Sequence, residues 1–266
     1  MENVKRYGRL YRVFITQFFK TLMQSKVDFW VGLIGFFFSQ MTGIAFLYLV
    51  FQQIPALNGW SFYQLLFIYG FAQIPRGLDH LFTDNIWMVA WRMVVTGQFD
   101  RYMLRPMNLF FQVICEKLQP DALGELAVGI ILVVISVHNG VVSFTFVSFL
   151  VFILSVLAGS IIYTSIKLLF AATAFWIKVS VPFLQVAYEL ADFAKYPVEI
   201  YNRSIRFIIT WIIPFAFVAY YPASYFLLGS SFLKTVGAEC MIAIVLWVIA
   251  YGLFKKGTLR YESAGS

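Results

Sequence analysis

The side chains of this 266-residue chain that could do chemistry are few and scattered. His80 and His138 are its two histidines, far apart and in no HExxH pattern, so the spacing of a zinc-hydrolase site is missing. Cys115 and Cys240 stand 125 residues apart, form no CxxC pair, and read as small buried hydrophobes. The carboxylates come closer to a pattern. Asp121 and Glu125 lie one helical turn apart, and Glu189 and Asp192 share one face of a helix. Lys167 follows a long apolar run. Ionisable groups in such surroundings raise a functional question by default, although near helix ends snorkelling or water can satisfy them. Lys167 is the least easily dismissed of the five, its bland alternative being to snorkel to the cytoplasmic headgroups. No GxxxxGK[ST] loop is present to cradle ATP phosphates, and no nucleophile constellation, metal spacing or dinucleotide fingerprint occurs. The expectation is a chain that is not itself an enzyme and holds no metal or cofactor.

The elements that carry these residues follow from composition. The chain is 61% hydrophobic and only 12% charged, with a mean hydropathy of +0.79. A soluble domain carries about 25% charged residues, and its core saturates at this size. An ordinary soluble enzyme is thereby excluded, as is a disordered chain. What remains is an all-α integral membrane protein, a single transmembrane domain over 1–266. Lys plus Arg exceeds Asp plus Glu by seven. In this setting the excess marks a membrane side rather than nucleic acid.

A spanning helix needs about 20 apolar residues. Phe29 to Pro75 holds no charge, interrupted once by QQIPALNG at 52–59, which gives spans near 29–51 and 60–78. Leu126 to Ile166 is also uncharged and turns at His138-Asn139-Gly140, giving spans near 118–137 and 143–166. A last span near 238–254 is stopped by Lys255-Lys256. Between Lys167 and Ala238 two readings stay open. Either 205–222 is the fifth helix, or 175–196 is, and 198–222 dips into the outer leaflet and returns past Pro214. Both give six spans. Residues 1–26 contain six cations and 76–118 five, while the turns at 52–59 and 138–142 contain none. Excess Lys and Arg mark the cytoplasmic side, so both termini and the long loop face the cytoplasm. The first apolar run is too long for a signal peptide and no cleavage site succeeds it, so it is read as a retained anchor.

Two further segments do not span. Over 4–22, Tyr7, Leu10, Phe14 and Phe18 fall on one helical face, and Lys5, Arg6, Arg9, Arg12 and Lys20 on the other. That is an amphipathic helix lying in the interface, its cations toward anionic headgroups. The loop 82–108 is too polar to span yet rich in Trp, Met and Phe. Ile86, Trp87, Val89, Ala90, Met93 and Val94 have helical spacing, Gly97 is placed to cap, and Pro106 ends the next short element. Phe99-Asp100-Arg101-Tyr102 is expected to project into the cytoplasm and to meet another protein.

This layout, and above all the run from Thr96 to Asn108, resembles the permease subunit of ABC-2 type transporters. Gly97-Gln98-Phe99-Asp100-Arg101-Tyr102-Met103-Leu104-Arg105-Pro106-Met107-Asn108 is similar to the G-x-F-D-x-x-L-L-R-P-x-N signature of a bacterial branch related to viologen and multidrug exporters, with Met103 where Leu is more usual. Tyr196-Pro197 through Pro214 to Tyr221-Pro222 resembles the outer re-entrant hairpin of that superfamily. The resemblance implies a passive permease in the bacterial cell membrane, paired with a second permease chain, identical or (favoured) different but related. A separate cytoplasmic ABC ATPase would bind ATP and Mg. Gly97, Phe99, Asp100, Arg101, Tyr102, Leu104, Arg105 and Pro106 would form the coupling helix, with Phe99 and Tyr102 filling a groove on the ATPase and Asp100, Arg101 and Arg105 making salt links. Lys5, Arg6, Arg9 and Arg12 would belong to an interface helix beside it. The alternative is a motor-independent secondary carrier or lipid scramblase, which needs coupling charges deep in the bundle.

Overall fold

The computed structural model describes residues 26–262 together with Arg9, Val13, Thr16 and Lys20. Arg9 and Lys20 are helical and exposed, whereas Lys5, Arg6 and Arg12 of the expected amphipathic helix lie outside the described residues. Eight principal helices carry the described chain: α1 (Lys26–Gln53), α2 (Phe62–Thr83), α3 (Leu109–Glu116), α4 (Ala122–His138), α5 (Phe146–Ala172), α6 (Val181–Ala191), α7 (Tyr220–Leu228) and α8 (Val236–Arg260). Shorter turns between them are named by range. No strand occurs among the described residues. Three helical stretches, Trp30–Gln53, Phe146–Ile177 and Phe232–Arg260, are long and apolar enough to cross a membrane.

Local chemistry explains most boundaries. Ser61 starts α2 with a capping box in which Ser61 accepts from the Gln64 N–H and Gln64 returns the bond. Thr145 and Ser148 do the same for α5. Gly140, at φ +75°, closes the turn after α4. The last helix does not stop at Lys255-Lys256 but continues to Arg260, because lysine ends an apolar stretch without being a poor helix former. Nor is 175–196 one helix. It breaks at Lys178 (φ +69°), restarts with Pro182 in the first turn of α6, and tightens into a 3-10 turn at Asp192–Lys195. Pro222 likewise sits in the first turn of α7 rather than at a segment's end, where its missing N–H costs nothing.

Packing is densest where side chains are smallest. α2 lies against α4 at Gly70 and Gly129, so close that a Cβ on Gly129 would stand 2.9 Å from the Gly70 carbonyl. α5 lies against α8 and crosses α2 where Gly159 meets Pro75. α1 is held more loosely. Gln40, its buried polar residue, accepts from Tyr69 OH (2.9 Å) and from Gln73 of α2, while Trp30, Ile34 and Phe38 stay exposed. The arms Arg203–Ile212 and Phe215–Leu228 meet at a 75° bend beside Pro214. At the bend Phe215 lies 5.1 Å from the Tyr163 ring, and farther along Phe226 lies 5.7 Å from Phe144, beside the α4–α5 turn.

Gly129→Ala is expected to destabilise the protein by about 1–3 kcal/mol through overpacking, read as a lower melting temperature in mild detergent. Gly252→Ala, where an added Cβ meets nothing within 4 Å, should leave it unchanged.

Candidate functional site

Two regions are candidates, an exposed turn and a buried charge network. In the first, a short helix Ile86–Met88 runs into a π-helical turn Val89–Met93, and Gly97 at φ +73° reverses the chain. The reversal is held by Thr96 N–H to the Arg92 carbonyl (2.9 Å) and Phe99 N–H to the Met93 carbonyl (3.0 Å). A single helical turn, Asp100–Met103, comes next.

Phe99 and Tyr102 do not project. Both are buried, and Phe99 packs edge-on against Phe175 (5.1 Å), Tyr261 (5.2 Å) and Phe254 of α8 (6.5 Å). Three-residue spacing puts the two rings on the same side of the turn, and removing that aromatic surface from water favours the inward side. Arg101 is also engaged within the chain, 2.5 Å from Glu116 Oε1, and Glu116 accepts a second bond from Tyr102 OH. Burial pushes the Glu116 carboxyl above its usual range, and Arg101 pulls it partly back. Gln112 donates to the carbonyls of Tyr102 and Met107 (3.1 Å each), while Asn108 caps α3 and donates to Tyr251 OH (2.9 Å). Exposed beyond the half-exposed Arg101 are Met103, Leu104 (84% exposed), Arg105 and Pro106. The motif is therefore a tip of four residues on a base riveted to α3, α8 and the segment after α5.

The second region answers the question of the isolated charges. Lys167 does not reach the surface. Its side chain is 0% exposed, with Nζ 2.8 Å from Asp79 Oδ2 and 3.3 Å from Asp84 Oδ1. Asp79, also wholly buried, accepts from the hydroxyls of Thr83 (2.6 Å), Thr164 (2.8 Å) and Tyr188 (2.7 Å). Tyr188 turns its ring face to Lys167 (5.5 Å) and stacks on His80. A charged group this far from water is costly unless it is paired and hydrogen-bonded.

Around this core the other charges pair. Glu125 on α4 lies 3.0 Å from His80 Nδ1 and 3.7 Å from Arg76 Nε. Arg76 also reaches Asp192 Oδ1 (2.6 Å), and Lys195 meets the same oxygen (2.8 Å). Glu189 on α6 and Asp192 in the 3-10 turn after it both line one cavity of about 450 Å³, with Arg76, Asp84, Trp87 and Tyr188. Asp121 stays outside the network, at the start of α4 near Gln119 (3.5 Å). In the sequence Arg76, Asp79, His80 and Asp84 pass for ordinary loop charges. Their spacing at i, i+3, i+4 and i+8 along the end of α2 is the signal that marks them as a group. Glu239, wholly buried in the first turn of α8, is also missed by sequence reasoning. Among the described residues no group of three or more His, Cys, Asp or Glu is placed to hold a metal ion.

A family model described as ABC-2 family transporter protein matches residues 37–265, which includes both regions. Neither the curated proteins nor the solved structures contain a match to this chain.

Lys167→Met, which strips Asp79 of its cation, is expected to cost about 3–5 kcal/mol, as removal of one partner of a buried pair does. Adding Asp79→Asn should return part of that loss. Both are read by thermal melting in detergent, with α5 mutants away from the pair as reference.

Proposed function

The chain belongs to the ABC-2 family of transporter proteins, and from that premise we propose that it is the membrane-spanning permease subunit of an ATP-driven exporter. Its motor is a separate cytoplasmic ABC ATPase, which binds ATP and Mg; this chain contributes the gate and no catalysis. The observation that carries the reading is the turn at 97–106. A motor that closes on nucleotide moves a bundle only through an element rigid at its base and free at its tip. Phe99, Tyr102 and Glu116 make the base rigid, and Leu104 and Arg105 are free to be gripped. The contact side chains of the coupling helix are therefore Met103, Leu104, Arg105 and Pro106. Phe99 and Tyr102 transmit force inward instead of filling a groove on the ATPase.

The same reading orders the chain in the bacterial cell membrane. α1, α2, α4, α5, the broken segment through α6, and α8 make six crossings, with both termini and the 82–108 loop in the cytoplasm. Support for the fifth crossing comes from its contacts. Tyr188 meets Asp79 near one end of α2, Tyr196 meets Tyr69 midway, and the Glu199 carbonyl accepts from Asn58 in the opposite loop. That leaves the bent arms 203–212 and 215–228 as the outer re-entrant hairpin. The exposed apolar faces of α1 and α8 are left for lipid and for a second permease chain, a different but related one being favoured. The secondary-carrier alternative loses its best coupling charge, since Lys167 is already neutralised by Asp79.

Affinity purification of the tagged protein in mild detergent should bring down an ATPase with a Walker-A loop. Leu104→Ala combined with Arg105→Ala should lose that subunit while the melting temperature stays put. Phe99→Ala should instead lower stability by about 3–5 kcal/mol. If the chain purifies alone and the Leu104/Arg105 variant transports normally in cells, the permease reading fails.

A further inference from the structure

Two cavities meet at one residue. The cavity of about 450 Å³ between α2 and α6 is polar, with Asp84, Glu189 and Trp87 in its wall. A second, of about 400 Å³, is apolar and aromatic, with Phe46, Leu47, Phe193 and Tyr201. Asp192 lines both, and no other described residue does. There its carboxylate is held by Arg76 (2.6 Å) and Lys195 (2.8 Å), and Lys195 in turn lies over the Tyr69 ring at 5.4 Å.

Resting on the exporter reading above, we propose that the Arg76–Asp192–Lys195 ion pairs are the gate of the cargo route, closing a polar inner chamber from an apolar outer one. The two sides of the gate differ in rigidity. Arg76 rides on α2, which is capped at its start and packed closely on α4 through Gly70 and Gly129. Asp192 stands where α6 gives way to a 3-10 turn and then to extended Tyr196. The beginning of α6 is tied to the cytoplasmic loop, because the Ser180 N–H donates to the Ala90 carbonyl (2.9 Å) in the π-helical turn. That turn is held in its place by the Gly97 reversal beneath the exposed tip. A displacement at Leu104 and Arg105 thus has a bonded path to α6, and through α6 to the Asp192 carboxylate. The strength of the pairs is right for a gate. The Asp192 side chain is 52% exposed while Arg76 and Lys195 are 17% and 14% exposed, so water reaches the carboxylate and can replace its partners within a cycle.

The test is cysteine labelling of the full chain, co-expressed with its partners, in a background with Cys115 and Cys240 replaced by alanine. Ile200→Cys reports the outer chamber and Gln185→Cys the inner one. The probe is a membrane-impermeant methanethiosulfonate applied to sealed right-side-out or inside-out vesicles. With Asp192 intact, Ile200→Cys should react from the outside alone and Gln185→Cys from the cytoplasmic side alone. Asp192→Asn should raise labelling of Ile200→Cys from the cytoplasmic side by about fivefold or more, the low end of a conformational coupling. Asp192→Glu should restore the barrier. If Asp192→Asn leaves the rates unchanged in protein of normal melting temperature, or if Ile200→Cys reacts from both sides with Asp192 intact, there is no gate here. Co-purification of the ATPase is scored separately, so loss of the gate and loss of the exporter reading are told apart.

Discussion

Lys167 places a positive charge where water does not reach, and the adjoining end of the bundle is arranged around neutralising it. An unpaired charge in such a place costs about 3–5 kcal/mol, a large share of a protein's net stability. Asp79 on α2 and Asp84 just past its end supply opposite charge, and Thr83, Thr164 and Tyr188 fill the remaining valences of Asp79. Three elements, α2, α5 and α6, are thereby tied together at Asp79, with Asp192 four residues beyond Tyr188 and outside the tie. The second tier, Glu125 with His80 and Arg76, adds α4 to the same frame. Hydrophobic contact with lipid has no directional preference, so a bundle built of Phe, Leu and Ile alone would hold its helices in less specific register.

The exposed turn depends on that frame at one remove. Its base is an aromatic cluster of Phe99, Phe175, Phe254 and Tyr261, whose members come from the loop, the end of the Phe146–Ile177 stretch, the last helix and the residue that follows it. Such rings pack at fixed edge-to-face angles and tolerate little sliding. A load applied at Leu104 is therefore delivered to helix ends rather than dissipated in the loop. The π-helical turn at Val89–Met93 lies between the tip and α6. A π turn carries one residue more than an α turn and recurs at functional positions in helices.

Helical spacing in 86–94, the turn at Gly97 and the breaks at Pro55, Gly140 and Pro214 arise from local chemistry, and local chemistry is what one sequence displays. The inward turn of Phe99 and Tyr102 is not legible there, because an aromatic beside charges looks the same whether its partner is a foreign protein or Phe254 of its own chain. The interruption of 175–196 is obscured for a related reason. Apolar composition satisfies a span whether or not the backbone is continuous, and Lys178 at φ +69° carries no mark in its side chain.

Composition, charge-free run lengths and cation placement are one-dimensional quantities, and they were sufficient for an all-helical membrane protein; the likeness to the ABC-2 transporter family rested on the motif from Thr96 to Asn108 and the order of the segments. Partnership is different. Lys167 finds Asp79 from 88 positions away, and Asp192 finds Arg76 from 116. Nothing in the string of letters orders one carboxylate over another as the partner of a lysine. That choice is made when glycines at 70 and 129 let α2 and α4 close together and set the height at which every charge on α2 meets its neighbours. The sequence determined which groups would be costly to bury; only the packed bundle decided what each is buried against, because electrostatic pairing acts across space and not along the chain.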